Sequence, residues 1–188
     1  MSVTSKNKGY PSMTTTLVIT VMGTDRPGLV EALSKALAAH HGNWLESRIA
    51  VLGGRFAGIL LASVPETEAR ALKETLAALE SEGLRITVEA SRPEPRSGEL
   101  RTVKLELIGQ DHPGIVREIS EAIARRGVNI REFSTECLSA SWSGEALVKA
   151  VAELSVPRSV PTAELRGLLE ALANELMVDV TLDDLPSG

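Results

Sequence analysis

The octapeptide Gly23-Thr24-Asp25-Arg26-Pro27-Gly28-Leu29-Val30 returns 86 residues later as Gly109-Gln110-Asp111-His112-Pro113-Gly114-Ile115-Val116. At the same spacing Asn43 is matched by Asn129 and Glu46 by Glu132. A period of 86 exceeds the repeat of a solenoid, which runs about 20–50 residues, and equals the length of a small domain. The 188-residue chain therefore reads as a duplicated domain. Between the copies, Ser91-Arg92-Pro93-Glu94-Pro95-Arg96-Ser97-Gly98-Glu99 has the prolines, glycine and charges of an exposed linker. The expected plan is a flexible tail over 1–15, a first domain over 16–90, a linker over 91–99 and a second domain over 100–183.

Both halves carry the same order of elements. Leu17-Val18-Ile19-Thr20-Val21 is apolar and β-branched, and its counterpart alternates Val103, Leu105 and Leu107 with Lys104 and Glu106; both read as strands. After the Asp-x-Pro-Gly turn, Leu29, Leu33, Ala36 and Leu37, or Ile115, Ile119, Ala122 and Ile123, share one helix face. A hairpin follows, over Trp44–Leu52 and Arg55–Ser63 around Gly53-Gly54, whose glycines tolerate the positive φ of a tight turn. In the second half it runs over Ile130–Leu138 and Ala146–Leu154 around a longer loop, Ser139–Glu145. A second helix carries Leu72 and Leu76, or Leu165, Leu169 and Leu172; Gly83 caps the first of these, and alternating strands close each unit. The order β-α-β-β-α-β, twice, gives an α+β protein of two ferredoxin-like domains, each a four-stranded antiparallel sheet with two helices on one face.

Composition narrows function. Apolar residues at 43 % and charged ones at 24 % are ordinary globular usage. Aromatics at 3 % leave little surface for stacking on bases. With a net charge of −5 and no block of Lys or Arg, the cationic footprint of a nucleic-acid binder is missing. A single cysteine, Cys137, excludes an intramolecular disulfide framework and a Cys-rich metal site; on a strand it reads as a small buried hydrophobe. No apolar run nears the ~18 residues of a membrane span, and the polar first fifteen residues lack the apolar stretch of a secretory signal. A cytoplasmic protein without membrane contact, metal or cofactor is expected.

The two strand-to-helix turns are the candidate sites. Pro27 and Pro113 suit the first helical position, and Gly28 and Gly114 keep the helix-start amides approachable. Such a start attracts a carboxylate or phosphate, and Asp25 or Asp111 beside it could hold an ammonium group. The same residues also make an ordinary turn, with the aspartate as an Asx cap. Asn43 and Asn129 read equally as left-handed loop residues and as amides that donate to and accept from a ligand. His40 and His41, adjacent at a helix end, point apart and fit contact with the helix dipole better than a shared metal. His112 stands where the first copy has Arg26, which argues against a unique catalytic base, and no serine lies in a nucleophile elbow.

The unit with its Asp-x-Pro-Gly turn and Asn-opened second strand resembles the ACT domain. The tandem pair, with Gly42-Asn43-Trp44-Leu45-Glu46-Ser47-Arg48, Gly53-Gly54-Arg55-Phe56-Ala57-Gly58 and the ending Leu168 to Val180, resembles the glycine cleavage system transcriptional repressor family from Leu17 to Leu182. That resemblance implies regulation rather than catalysis. It places amino-acid binding at the first turn, often across an interface between two such domains, with Asp25, Arg26, Gly28, Leu29 and Asn43, and Asp111, His112, Gly114, Ile115 and Asn129, as the ligand-binding set. It implies a small amino acid, glycine or serine, as ligand, and a protein partner, such as a DNA-binding regulator of glycine cleavage genes. Self-association as a homodimer is expected from exposed edges and faces. The alternatives are a constitutive adaptor, or a regulatory subunit of an amino-acid-metabolism enzyme, without a ligand of its own; an enzyme ranks last.

Overall fold

In the computed structural model the described residues are 13–91, 100–139 and 146–184. The chain divides between Glu94 and Pro95 into two compact units. The first unit runs β1 (Thr14–Thr24), α1 (Leu29–Ala39), β2 (Asn43–Leu52), β3 (Arg55–Pro65), α2 (Ala69–Ala78), a 3₁₀ turn (Leu79–Glu82) and β4 (Leu84–Ala90). The second runs β5 (Leu100–Gln110), α3 (Ile115–Ala124), β6 (Asn129–Ser139), β7 (Ala146–Pro157), α4 (Thr162–Leu176) and β8 (Val178–Asp184). The sheets have the orders β2-β3-β1-β4 and β6-β7-β5-β8 with every pairing antiparallel. These are the two ferredoxin-like units that the alternating patterns predict.

Strand parity puts one face of each sheet under the helices. Leu17, Ile19 and Val21 of β1 and Leu60, Ala62 and Val64 of β3 are buried, with Leu29, Leu33 and Leu37 of α1 and Leu72 and Leu76 of α2 packed on them in one cluster. The second unit repeats this with Val103, Leu105 and Leu107 under Ile115, Ile119, Ile123, Leu165 and Leu169. Each fully buried leucine or isoleucine stabilises by about 1.5–3 kcal/mol against exposure. The opposite sheet face carries no helix.

β2 slips its register on β3 between Trp44 and Glu46, and β6 slips on β7 between Ile130 and Glu132. The duplicated bulge lies inside the repeated Asn-x-x-Glu, between the asparagine and the glutamate. The hairpin Gly53-Gly54 has φ 56° and 73°, as a primed turn demands, and Gly83 caps its 3₁₀ turn at φ 86°.

Four local expectations are corrected. β1 already begins at Thr14, pairing Thr14 with Pro65 and Thr15 with Val64, so the first domain takes in the end of the expected tail. Pro27 and Pro113 precede the helices by two residues; the helices start at Leu29 and Ile115 after left-handed Gly28 and Gly114. Cys137 is exposed: its parity faces the helix side, but β6 is the sheet edge and the helices do not cover it there. His40 leaves its own helix end and bridges to α2, Nδ1 at 2.9 Å from Glu68 Oε2 and Nε2 at 2.7 Å from Thr75 Oγ1. The remainder of the expected tail, the linker after Ser91 and most of the 139–145 loop lie outside the described residues.

Candidate functional site

Arg26-Pro27-Gly28-Leu29 forms a type II turn, with proline at its second position and Gly28 at φ 91°, ψ −1°. His112-Pro113-Gly114-Ile115 repeats it with Gly114 at φ 104°, ψ −9°, closed by the Ile115 amide donating to the His112 carbonyl at 3.4 Å. Positive φ accounts for both glycines, because a Cβ built on Gly28 meets nothing nearer than Glu31 Oε2 at 3.9 Å. Backbone geometry, rather than room for a ligand, requires glycine here.

The turn is tied to the sheet from below. The Asp25 amide donates to the Gly54 carbonyl at 3.0 Å, and the Asp111 amide to the Ala146 carbonyl at 2.9 Å. Both aspartates are exposed. Neither helix has a side-chain cap, so the Asx-cap role is not taken up. Among the described residues the Asp25 carboxylate has no hydrogen-bond or ion-pair partner, while Asp111 Oδ2 has only a long contact from Cys137 Sγ at 3.8 Å. The first helical bonds run from the Ala32 amide to Gly28 and from the Glu118 amide to Gly114, and the amides before them, apart from that of Ile115 bonded to His112, form the open helix start.

The other turn residues divide by role. Arg26 is spoken for, its Nη2 2.8 Å from Glu82 Oε2 just before β4. His112 Nδ1 lies 3.4 Å from its neighbour's Pro113 carbonyl. Leu29 and Ile115 are 3 % and 4 % exposed, so their side chains belong to the core and only their amides face the turn. Sequence reasoning passed over two acids: Glu31 in the first turn of α1 and Glu118 in that of α3. Glu118 Oε1 is 3.4 Å from a Cβ built on Gly114. Lys35 Nζ reaches Glu31 Oε1 at 2.6 Å; that hydrogen bond, then the lysine's charge, holds the Glu31 carboxyl below its ordinary value. Each turn is thus flanked by two acids, of which Glu31 is paired with Lys35 and Glu118 with Arg117. The helix spacing i, i+3 or i, i+4 from the turn glycine was the available signal for them.

Asn43 and Asn129 do not join the turns of their own units. Asn43 pairs with Ser63 and Asn129 with Ser155, whereas Asp25 and Asp111 are held at Gly54 and Ala146. Eight or more strand residues at about 3.3 Å each place each asparagine roughly 27 Å from its turn. Each asparagine is exposed, at the opposite end of the sheet.

Among the described residues, no group of three or more His, Cys, Asp or Glu side chains gathers as for a metal ion, and no described helix is long and apolar enough to cross a membrane. A groove of about 410 Å³ runs between α3 and α4, floored by Leu168 and Leu172 and rimmed by Glu118, Glu121, Arg125 and Arg126. In the first unit His40, the counterpart of Arg126, bridges α1 to α2 at the matching place.

Comparison with known proteins agrees with this architecture. Residues 15–90 match the family model of the ACT domain. The glycine cleavage system transcriptional repressor of Escherichia coli (strain K12) is 26% identical over 161 residues, covering 85% of this chain and 85% of that protein, and the Shigella flexneri protein of the same name matches equally. An unknown protein from Galdieria sulphuraria, known from its crystal structure, is 30% identical with a TM-score of 0.83, covering 93% of this chain and all of that one.

Proposed function

This chain is a tandem pair of ACT domains resembling the glycine cleavage system transcriptional repressors, and from that premise we propose that it is a non-enzymatic regulatory protein of the cytoplasm that senses a small amino acid, glycine or serine. The observation that carries the reading is the Asp25 carboxylate, without a partner among the described residues, beside an open helix start, with Asp111 placed alike in the second unit. The ligand's ammonium meets the aspartate and its carboxylate meets the helix-start amides. The asparagine that orients it comes from a second copy of the chain, since each unit holds its own about 27 Å away along the strands. Self-association as a homodimer follows from this division of the site, and the signal passes by protein contact to a transcription regulator rather than to DNA. For the ligand to signal, it must favour one arrangement of the domains over another.

The test is calorimetry and thermal unfolding of the full chain against the twenty amino acids. Glycine or serine at a hundredfold excess over its Kd is expected to add about 2.7 kcal/mol of stability. Asp25→Ala with Asp111→Ala removes that gain. The acids Glu31 and Glu118 at the helix starts favour the second reading, an adaptor without a ligand. That reading predicts no heat and no stabilisation from any amino acid, and such a result overturns the first.

A further inference from the structure

The uncovered sheet faces of the two units have diverged. In the first unit the outward positions at the middle of the central strands are Val18, Thr20 and Met22 on β1 and Ala57, Ile59 and Leu61 on β3, all uncharged, and the outward charge Arg55 lies beyond them at the hairpin end, bonded to Thr24. Met22 and Ile59 are 47% and 48% exposed. The equivalent strands of the second unit carry Lys104, Glu106, Lys149 and Glu153, with Lys104 Nζ 2.6 Å from Glu106 Oε1. One fold therefore presents an apolar face in one copy and a charged face in the other, although helices cover neither. Exposed contiguous apolar surface of this kind marks an interaction site.

Charge around the apolar face selects its occupant. The rim strand β2 carries Glu46 and Arg48 outward, level with Leu61 and Ile59; the rim strand β4 carries Arg85 and Glu89, level with Met22 and Val18. Each rim holds one acid and one base, so a two-fold axis perpendicular to the strands sets each rim against its own reversed copy, acid opposite base. The two rows centre within one residue step of each other, about 3.4 Å, which their long side chains span. A shallow cleft of about 220 Å³ on this face is lined by Val18, Glu46, Arg48, Ile59 and Leu61 and leaves room for the relief of a facing sheet. The second unit's face has its charges on the central strands and further acids at its rims, Glu132 and Glu136 on β6 and Asp179 and Asp183 on β8, so it repels its own copy.

We propose that the first unit's open sheet face docks face to face, with strands antiparallel, on the same face of a second copy of this chain. The proposal rests on the self-association described above and names its surface, an isologous contact of two stacked sheets. Val18, Met22, Ile59 and Leu61 form its centre, and Glu46 and Arg48 exchange partners across it from their present 3.1 Å pair within one strand.

The experiment is sedimentation equilibrium of the full chain over a concentration series, with circular dichroism as a check on folding. The wild type is expected to dimerise. Ile59→Lys, at an outward position, keeps the fold and weakens association by about tenfold or more, because it buries an unpaired charge. Glu46→Arg weakens it too, and Glu46→Arg with Arg48→Glu restores it, since the reversed row is again self-complementary. Val51→Lys, on the outer edge strand and away from the face, leaves the dimer intact. A dimer that survives Ile59→Lys, or one that Val51→Lys dissociates in its place, overturns the surface while leaving self-association standing. A wild type that stays monomeric overturns both.

Discussion

The left-handed positions that end the helices recur in both halves, but different residues fill them. His41, at φ 56°, closes α1 in a Schellman arrangement, the Gly42 amide donating to Leu37 and the His41 amide to Ala38. Its counterpart in the second half is Gly127, at φ 67°. Conversely, Met177 ends α4 at φ 54°, where the first half has Gly83. A side chain in this region costs roughly 1–2 kcal/mol. His41→Gly and Met177→Gly are therefore each expected to raise stability by about 1 kcal/mol in denaturant unfolding, and Gly114→Ala to lower it by about as much. The sequence alone made Gly28 and Gly114 serve two accounts, open space and turn geometry. Only φ separated them, because both accounts ask for the same residue.

At the level of elements, patterns of period two and 3.6 carried the reading, since they follow directly from which face is buried. Val103, Leu105 and Leu107 alternate in sequence and are all buried. The pattern fails where parity and coverage part company. Ile49, Val51 and Cys137 point to the helix side of their sheets yet are exposed, because β2 and β6 are edges. His40 shows a second limit: its partners Glu68 and Thr75 lie 28 and 35 residues away, beyond what helix spacing reveals. With only 16% of its side chain exposed, it pins the end of α1 to α2. His40→Ala is expected to cost about 1–3 kcal/mol, read as a lower thermal midpoint, with the second unit's unfolding unchanged.

The molecule as a whole is two closed cores, and none of the residues in one cluster belongs to the other. Residues 13–91 and 100–184, expressed separately, are each expected to unfold cooperatively, with only about 3–5 kcal/mol of stability for domains of this size. A fragment lacking cooperative unfolding would show that its core needs the other half. The duplication was plain in the sequence, but the distance from Asp25 to Asn43 was not, because it depends on strand order and register rather than on spacing.

The bond from the Asp25 amide to the Gly54 carbonyl joins the turn to the tip of the hairpin that ends in β2 and β3. A shift of the turn would therefore reach the start of β3 and, through the hairpin, β2 at the edge of the first sheet. In the second half the Asp111 amide holds Ala146, one residue beyond the Gln110–Leu147 pair just as Gly54 lies one beyond Thr24–Arg55, so both turns are anchored at the same place in their sheets.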